Sequence, residues 1–286
     1  MAVAVDAGLS SKDYTKGFAP SWVAALAALL GVVATFGAMG WPREGLLPRR
    51  PVLTAGWCGF VLMVWSAGGV IFDGLRALAV LGVPGMPPVV DWPGFASRTL
   101  AVVAGALLAA TVLSYQRACR GGRTRCGRDD PASPRSSRRW LGYAACAFAL
   151  PYPLLKLYWA LGGTIARSAV GTTSVEGFPI GEIVAFALVG LLALALVQRW
   201  GRLVPRRLLL VVAWAAAGAL LTMGALAGFG SLAQALGLVD GPARFGSDGW
   251  IVYLVYGSWL LLGVALGGAV VDYQRRTRLP CGQCGR

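Results

Sequence analysis

The sequence contains no histidine. That absence excludes a histidine metal site, a histidine haem ligand, a histidine general base and any Ser/His triad. Charge is scarce too. Only 13% of residues are Asp, Glu, Lys or Arg, against about 25% in soluble domains. No apolar stretch holds two carboxylates at helical spacing, so the buried acids typical of an ion-coupled pump are missing. No Walker or dinucleotide-binding glycine pattern stands in a soluble context. Lysine is nearly absent, with 3 beside 23 arginines. That bias, with abundant glycine and alanine, resembles the composition of high-GC actinobacterial chains.

What fills the chain instead is apolar: 57% of its 286 residues are hydrophobic. Charges nearly vanish from seven windows, at 21–40, 52–72, 96–114, 140–165, 180–200, 208–229 and 250–271. About 20 helical residues cross a hydrocarbon core. The windows do not alternate as barrel strands do. Lipid gives backbone polar groups no partner, so each window is expected to be a helix. The expected class is an all-α integral membrane protein with seven transmembrane helices, embedded among membrane lipids. The first window reads as a span and not as a cleavable signal, because it is long and has a later counterpart.

The net charge of +14 is distributed as a topology signal. Six basic residues (Lys12, Lys16, Arg76, Arg98, Arg167 and Arg244) fall on the side of the N-terminus, and nineteen fall on the other. Eight arginines crowd between Arg117 and Arg139 alone. The positive-inside bias puts the richer side in the cytoplasm, which predicts a plasma-membrane protein with its N-terminus outside and C-terminus inside. The arginine loop then faces lipid headgroups, and nucleic acid is not an expected partner.

The two halves repeat. Tyr115-Gln116-Arg117, eight residues, then Cys126-Gly127-Arg128 recurs as Tyr273-Gln274-Arg275, eight residues, then Cys284-Gly285-Arg286. Pro48-Arg49-Arg50 and Trp57 match Pro205-Arg206-Arg207 and Trp214, Phe72 matches Phe229, and Trp92 and Gly105 match Trp250 and Gly263. The order is kept and the offset stays between 157 and 160. Two parallel three-helix repeats joined by a linker helix (3+1+3) are therefore expected. The expected divisions are an outer tail at 1–16, the first repeat at 17–128, a basic loop with the linker helix at 129–165, and the second repeat at 166–286. After Phe72, residues Asp73 to Leu81 are too short to span and are expected along the outer surface, with a counterpart after Phe229. Tryptophans at helix ends read as interfacial anchors. The layout resembles that of the SWEET sugar transporters and PnuC-type vitamin carriers. The resemblance is one of repeat order. The first helix of each unit lacks the internal proline of SWEET units, so the resemblance implies an architecture and no residue role. A retinal protein is rejected, because the last helix has no lysine.

Lys156 is the only lysine inside an apolar window, and a charge there points to function by default. Tyr152, Trp159 and Ala160 share its helix face. Pro151 and Pro153 remove donors that would have bonded the carbonyls of Ala147 and Ala149, which predicts a kink. Glu182, just inside the fifth helix, reads as a carboxylate favoured by the helix N-terminus, or else as a partner of Lys156 in a gate. The four residues Lys156, Tyr152, Trp159 and Glu182 form the candidate substrate site, weighed against a snorkelling lysine with a structural ion pair. Cys281-Gly282-Gln283-Cys284 has the spacing at which two thiolates address one zinc ion, with Cys119 and Cys126 as the second pair. The competing reading is loose thiols, since Arg123 stands where the repeat would need a cysteine. Cys58 and Cys146 read as core fillers. No cofactor is implied. Three functions compete: a small-solute permease or exporter, a scaffold binding a membrane-protein partner through its basic loop and tail, and a lipid-acting enzyme using Asp73, Asp91, Asp240 and Asp248.

Overall fold

The computed structural model describes residues 19–39, 48–82, 89–119, 138–165, 180–239 and 249–277. Among these residues the chain is almost entirely helical and contains no strand. It divides into two compact units, Met1–Arg135 and Ser136–Arg286. The first holds α1 (Ser21–Met39), α2 (Arg49–Ser66), α3 (Val70–Val80) and α4 (Trp92–Cys119). The second holds α5 (Trp140–Phe148), α6 (Pro151–Ala160), α7 (Ile180–Val197), α8 (Arg206–Ala235) and α9 (Gly249–Arg276).

Among the described residues, five segments are long and apolar enough to cross a membrane: Trp22–Met39, Arg49–Val80, Trp92–Cys119, Ile180–Val197 and Arg206–Ala235. Large apolar side chains point outward along them, such as Leu29, Val32 and Phe36 on α1. In water such a face would be an aggregation liability; in hydrocarbon it is the solvated face. The tryptophans at helix ends, Trp92, Trp140, Trp200 and Trp250, are exposed as interfacial anchors should be. These are the features of a multi-pass, membrane-embedded protein.

Three elements depart from the expected windows. The second window breaks at Gly69, whose φ of 84° ends α2 and starts α3; an L side chain resists that backbone conformation. The short α3 is amphipathic in reverse. Asp73 and Arg76 are buried while Leu75, Leu78 and Val80 face out, so it does not present charges to an aqueous surface. Its expected counterpart after Phe229 is not a separate element, because α8 runs on unbroken to Ala235. The 140–165 window is two short helices. Pro151 ends the run at its N-terminal neighbour, and the Leu150 N–H turns back to the Ala147 carbonyl at 3.2 Å. The carbonyl deprived by Pro151 thus finds a partner one residue closer. Cys58 also departs from expectation: it faces outward and fills no core. Cys146 is half-buried against Gly190.

Small residues bring the helices together. Lipid is as apolar as leucine, so helices associate through close packing and not through water release. In the first unit α2 packs on α1 and α4 around Ala34, Leu108 and Val112. A Cβ at Gly59 would stand 3.2 Å from the Gly31 backbone nitrogen. In the second unit α8 and α9 form the closest pair. Gly224 lies against the backbone of Leu260, and Gly263 lies against that of Leu221, where a Cβ would meet the nitrogen at 2.8 Å. Around this seam Ala213, Ala217, Leu220, Leu262, Leu266 and Ala269 are buried.

Polar bonds close the basic end of the second unit. Asp272 accepts the Arg138 backbone N–H at 3.2 Å and an Arg276 guanidinium hydrogen at 2.8 Å. Arg276 also donates to the Leu196 carbonyl at 2.9 Å. One end of α9 thereby satisfies an orphan donor ahead of α5 and an orphan acceptor at the end of α7.

The seam generates a paired prediction. Gly224→Ala lowers thermal stability in detergent by about 1–3 kcal/mol, because backbone must move to admit the methyl group. Gly218→Ala, in the same helix with nothing within 4 Å of its Cβ position, leaves stability unchanged or slightly raised. Equal effects at the two sites, read from thermal unfolding, would discard the close-packing account.

Candidate functional site

Lys156 lies on α6, the second half of the broken helix. The break restarts the helix at Pro151, so Tyr152, Lys156 and Trp159 fall on one face at i, i+4 and i+7. That face turns toward α7, where Glu182 occupies the first turn. The Lys156 Nζ stands 3.9 Å from Glu182 Oε1. It also lies 5.6 Å from the Tyr152 ring centre and 5.5 Å from that of Trp159, within cation–π range. All four residues selected from sequence therefore meet. Trp159 is buried and fixed by its indole N–H, which donates to the Ile165 carbonyl at 2.9 Å. Lys156 and Glu182 keep 20% and 41% of their side-chain surfaces exposed, so the pair is open and not sealed in a core.

Two further residues complete the group. Phe186 follows Glu182 by one turn of α7 and packs on Tyr152 with ring centres 4.9 Å apart. Trp259 of α9 meets Tyr152 at 4.9 Å and Phe186 at 5.9 Å. Both left a trace in the sequence. Phe186 shares a helix face with Glu182 by its spacing, and Trp259 sits mid-helix, where an interfacial anchor has no use. The Tyr152 ring belongs to both assemblies, so it joins the charged pair to an aromatic wall. From Glu182 to the Leu196 carbonyl held by Arg276 is 14 residues of helix, about 21 Å. The Lys156 group and the Arg276 closure therefore occupy opposite ends of the second unit.

The first unit holds a second polar group that sequence reasoning undervalued. Asp91 is the N-cap of α4: its Oδ1 accepts the Gly94 N–H at 3.0 Å. Its Oδ2 faces Arg98 Nη2 at 3.4 Å. Arg98 Nε bonds Asp73 Oδ2 of α3 at 2.5 Å. The Asp73 side chain is 2% exposed and that of Arg98 11%, and Arg76 is buried one turn beyond Asp73. Two acids and two arginines give no net charge. The group fastens the charged face of α3 onto the first turns of α4. The signal was Asp73 and Arg76 at i, i+3 inside an otherwise apolar stretch. Two of the four acids proposed for a lipid-acting enzyme are thus engaged with Arg98, and the other two, Asp240 and Asp248, lie outside the described residues.

Of the proposed zinc ligands, Cys119 is the half-buried last residue of α4. Cys126, Cys281 and Cys284 lie outside the described residues. Among the described residues no cluster of three His, Cys, Asp or Glu side chains is placed to hold a metal ion.

Fold and sites together define a helical, multi-pass membrane protein. No protein-family model, no curated protein and no solved structure matches the chain.

The Arg98 group yields a stability prediction. Arg98→Met leaves two buried acids, Asp73 and Asp91, with Arg76 as the remaining arginine of the group, and costs about 3 kcal/mol, read as a lower unfolding midpoint in detergent. Adding Asp73→Leu to that variant recovers most of the loss, because the group is neutral again. A single variant as stable as the parent would remove the clamp from the account.

Proposed function

We propose that the protein is a small-solute permease or exporter of the plasma membrane, with the solute contacting Lys156, Tyr152, Trp159 and Glu182. The observation that carries the reading is the meeting of these residues. A lysine on a helix broken at Pro151 stands beside a carboxylate and two aromatic faces, with part of its surface open. A charge within an apolar segment is costly to keep. A purely structural ion pair is best closed and fully hydrogen-bonded, and this one is neither.

The architecture we assign is two parallel three-helix repeats with α5 and α6 as the linker, N-terminus outside and C-terminus in the cytoplasm. Helix order supports it. Each unit contains three long helical segments in sequence: α1, α2 with α3, and α4 in the first; α7, α8 and α9 in the second. In both, the third segment packs on the second and on the first. α4 and α9 have the same length, 28 residues. Parallel repeats of this kind place solute sites near the repeat boundary in carriers. A scaffold role would rest on residues 120–137 and 278–286, outside the described residues, and no described feature favours it.

Purified protein in liposomes tests the proposal. Counterflow of a panel of amino acids, amines and small carboxylates is expected to reveal at least one transported solute. Lys156→Met lowers that flux about tenfold or more, the loss of one charge-assisted contact. Normal flux in Lys156→Met would remove this residue from the pathway, and a silent panel would defeat the permease reading.

A further inference from the structure

We infer that the solute received at Lys156 and Glu182 is a small zwitterion with an apolar or aromatic side group, of the neutral α-amino acid type. The inference rests on the permease reading for its place in the protein, but its chemistry comes from the pair itself.

The gap between Lys156 Nζ and Glu182 Oε1 is 3.9 Å. That is a Coulombic contact and too long for a hydrogen bond, which needs about 3.2 Å or less. An ammonium has three hydrogens to donate, and a carboxylate has about four lone-pair positions to offer. Among the described residues neither group makes a hydrogen bond to any other side chain or backbone atom. Among the described residues the two opposite charges thus face each other without a hydrogen bond between them, on a partly exposed edge.

A ligand that hydrogen-bonds both groups must bring both signs. Its carboxylate would take the hydrogens of Lys156, and its ammonium would donate to Glu182, giving four charges alternating around a small ring. An α-amino acid carries its two charges on one carbon, the compact spacing that such a ring needs. Net charge selects in the same direction. The Lys156–Glu182 pair is neutral when empty and stays neutral when a zwitterion enters. A lone carboxylate would meet Glu182 at close range, and a lone amine would meet Lys156. Either would leave an uncompensated charge in a low-dielectric place, which is the expensive outcome.

The rest of the ligand is read from the wall. Tyr152 sits under the Lys156 ammonium and packs on Phe186 and Trp259 with ring centres 4.9 Å away in each case. Tyr152 and Phe186 are only half-buried, so apolar surface continues from the charged pair. A side group leaving the α-carbon meets the rings of Tyr152 and Phe186. This favours leucine- or phenylalanine-like solutes over serine- or glutamate-like ones.

The test uses the whole protein in nanodiscs and three probes of one shape: L-phenylalanine, 3-phenylpropionate without the ammonium, and phenethylamine without the carboxylate. Binding is read by tryptophan fluorescence and by thermal shift. L-phenylalanine is expected to bind saturably, with each single-charge analogue about tenfold weaker or worse. Glu182→Gln should weaken L-phenylalanine while leaving 3-phenylpropionate unchanged or tighter, an inversion that a merely misfolded variant does not produce. Equal binding of either analogue and the zwitterion overturns the inference. So does the absence of L-phenylalanine and L-leucine binding in protein that shows Lys156-dependent flux of another solute, and the permease reading then stands. Saturable zwitterion binding without flux in liposomes supports the inference and overturns the permease reading instead.

Discussion

Hydrocarbon offers neither a hydrogen bond nor a counter-ion, and each polar choice in this chain follows from that. Backbone groups are answered by helix formation. Where a helix must break, the breach is repaired locally, as when Leu150 supplies the Ala147 carbonyl next to Pro151. Charged side chains are answered by each other. Asp73 and Asp91 converge on Arg98, and Lys156 faces Glu182. With these charges turned toward each other inside each unit, the outward faces of the helices are free to be apolar.

The reversed polarity of α3 is the clearest expression of this rule. An amphipathic helix on a water-soluble protein hides leucine and shows aspartate. α3 hides Asp73 and Arg76 and shows Leu75 and Leu78. The same logic explains why glycine stands where the backbones of α8 and α9 come closest, at Gly224 and Gly263. Burial from lipid gives little driving force, so close approach of backbones is what remains. The Arg98 and Lys156 groups are built from the same residue types but differ in closure. The first is tightly bonded and nearly inaccessible, while the second is loose and partly open. That contrast suits the first to holding helices and supports the solute-binding role proposed for the second.

How much of this was legible depended on range. Composition and window length suffice for a helical membrane chain, because the solvent imposes those properties on every span. The meeting of Lys156 with Tyr152, Trp159 and Glu182 was readable because three of the four share one helix face, and the fourth opens the next apolar segment. Phe186 was within reach by the same spacing from Glu182. Trp259 came from α9, a hundred residues along the chain, and periodicity within α6 says nothing about which distant helix packs there. The break at Gly69 was hidden because glycine pairs also occur in unbroken stretches such as Gly267-Gly268 of α9. The inward turn of α3's charges was not readable because a short amphipathic segment has the same pattern whether its charges face water or a partner arginine, and Arg98 lies 25 residues away.

The closure at the end of α9 carries a consequence for biogenesis. Asp272 and Arg276 reach back 134 and 80 residues to Arg138 and Leu196. Those bonds cannot exist until the ribosome has passed codon 276. Throughout synthesis of the intervening segments, the open N–H ahead of α5 must borrow water or a phospholipid phosphate, and the open carbonyl at the end of α7 must borrow water. The second unit is therefore locked by its last-made helix, and a chain stalled before that point would sit in the bilayer with its basic end still unlatched.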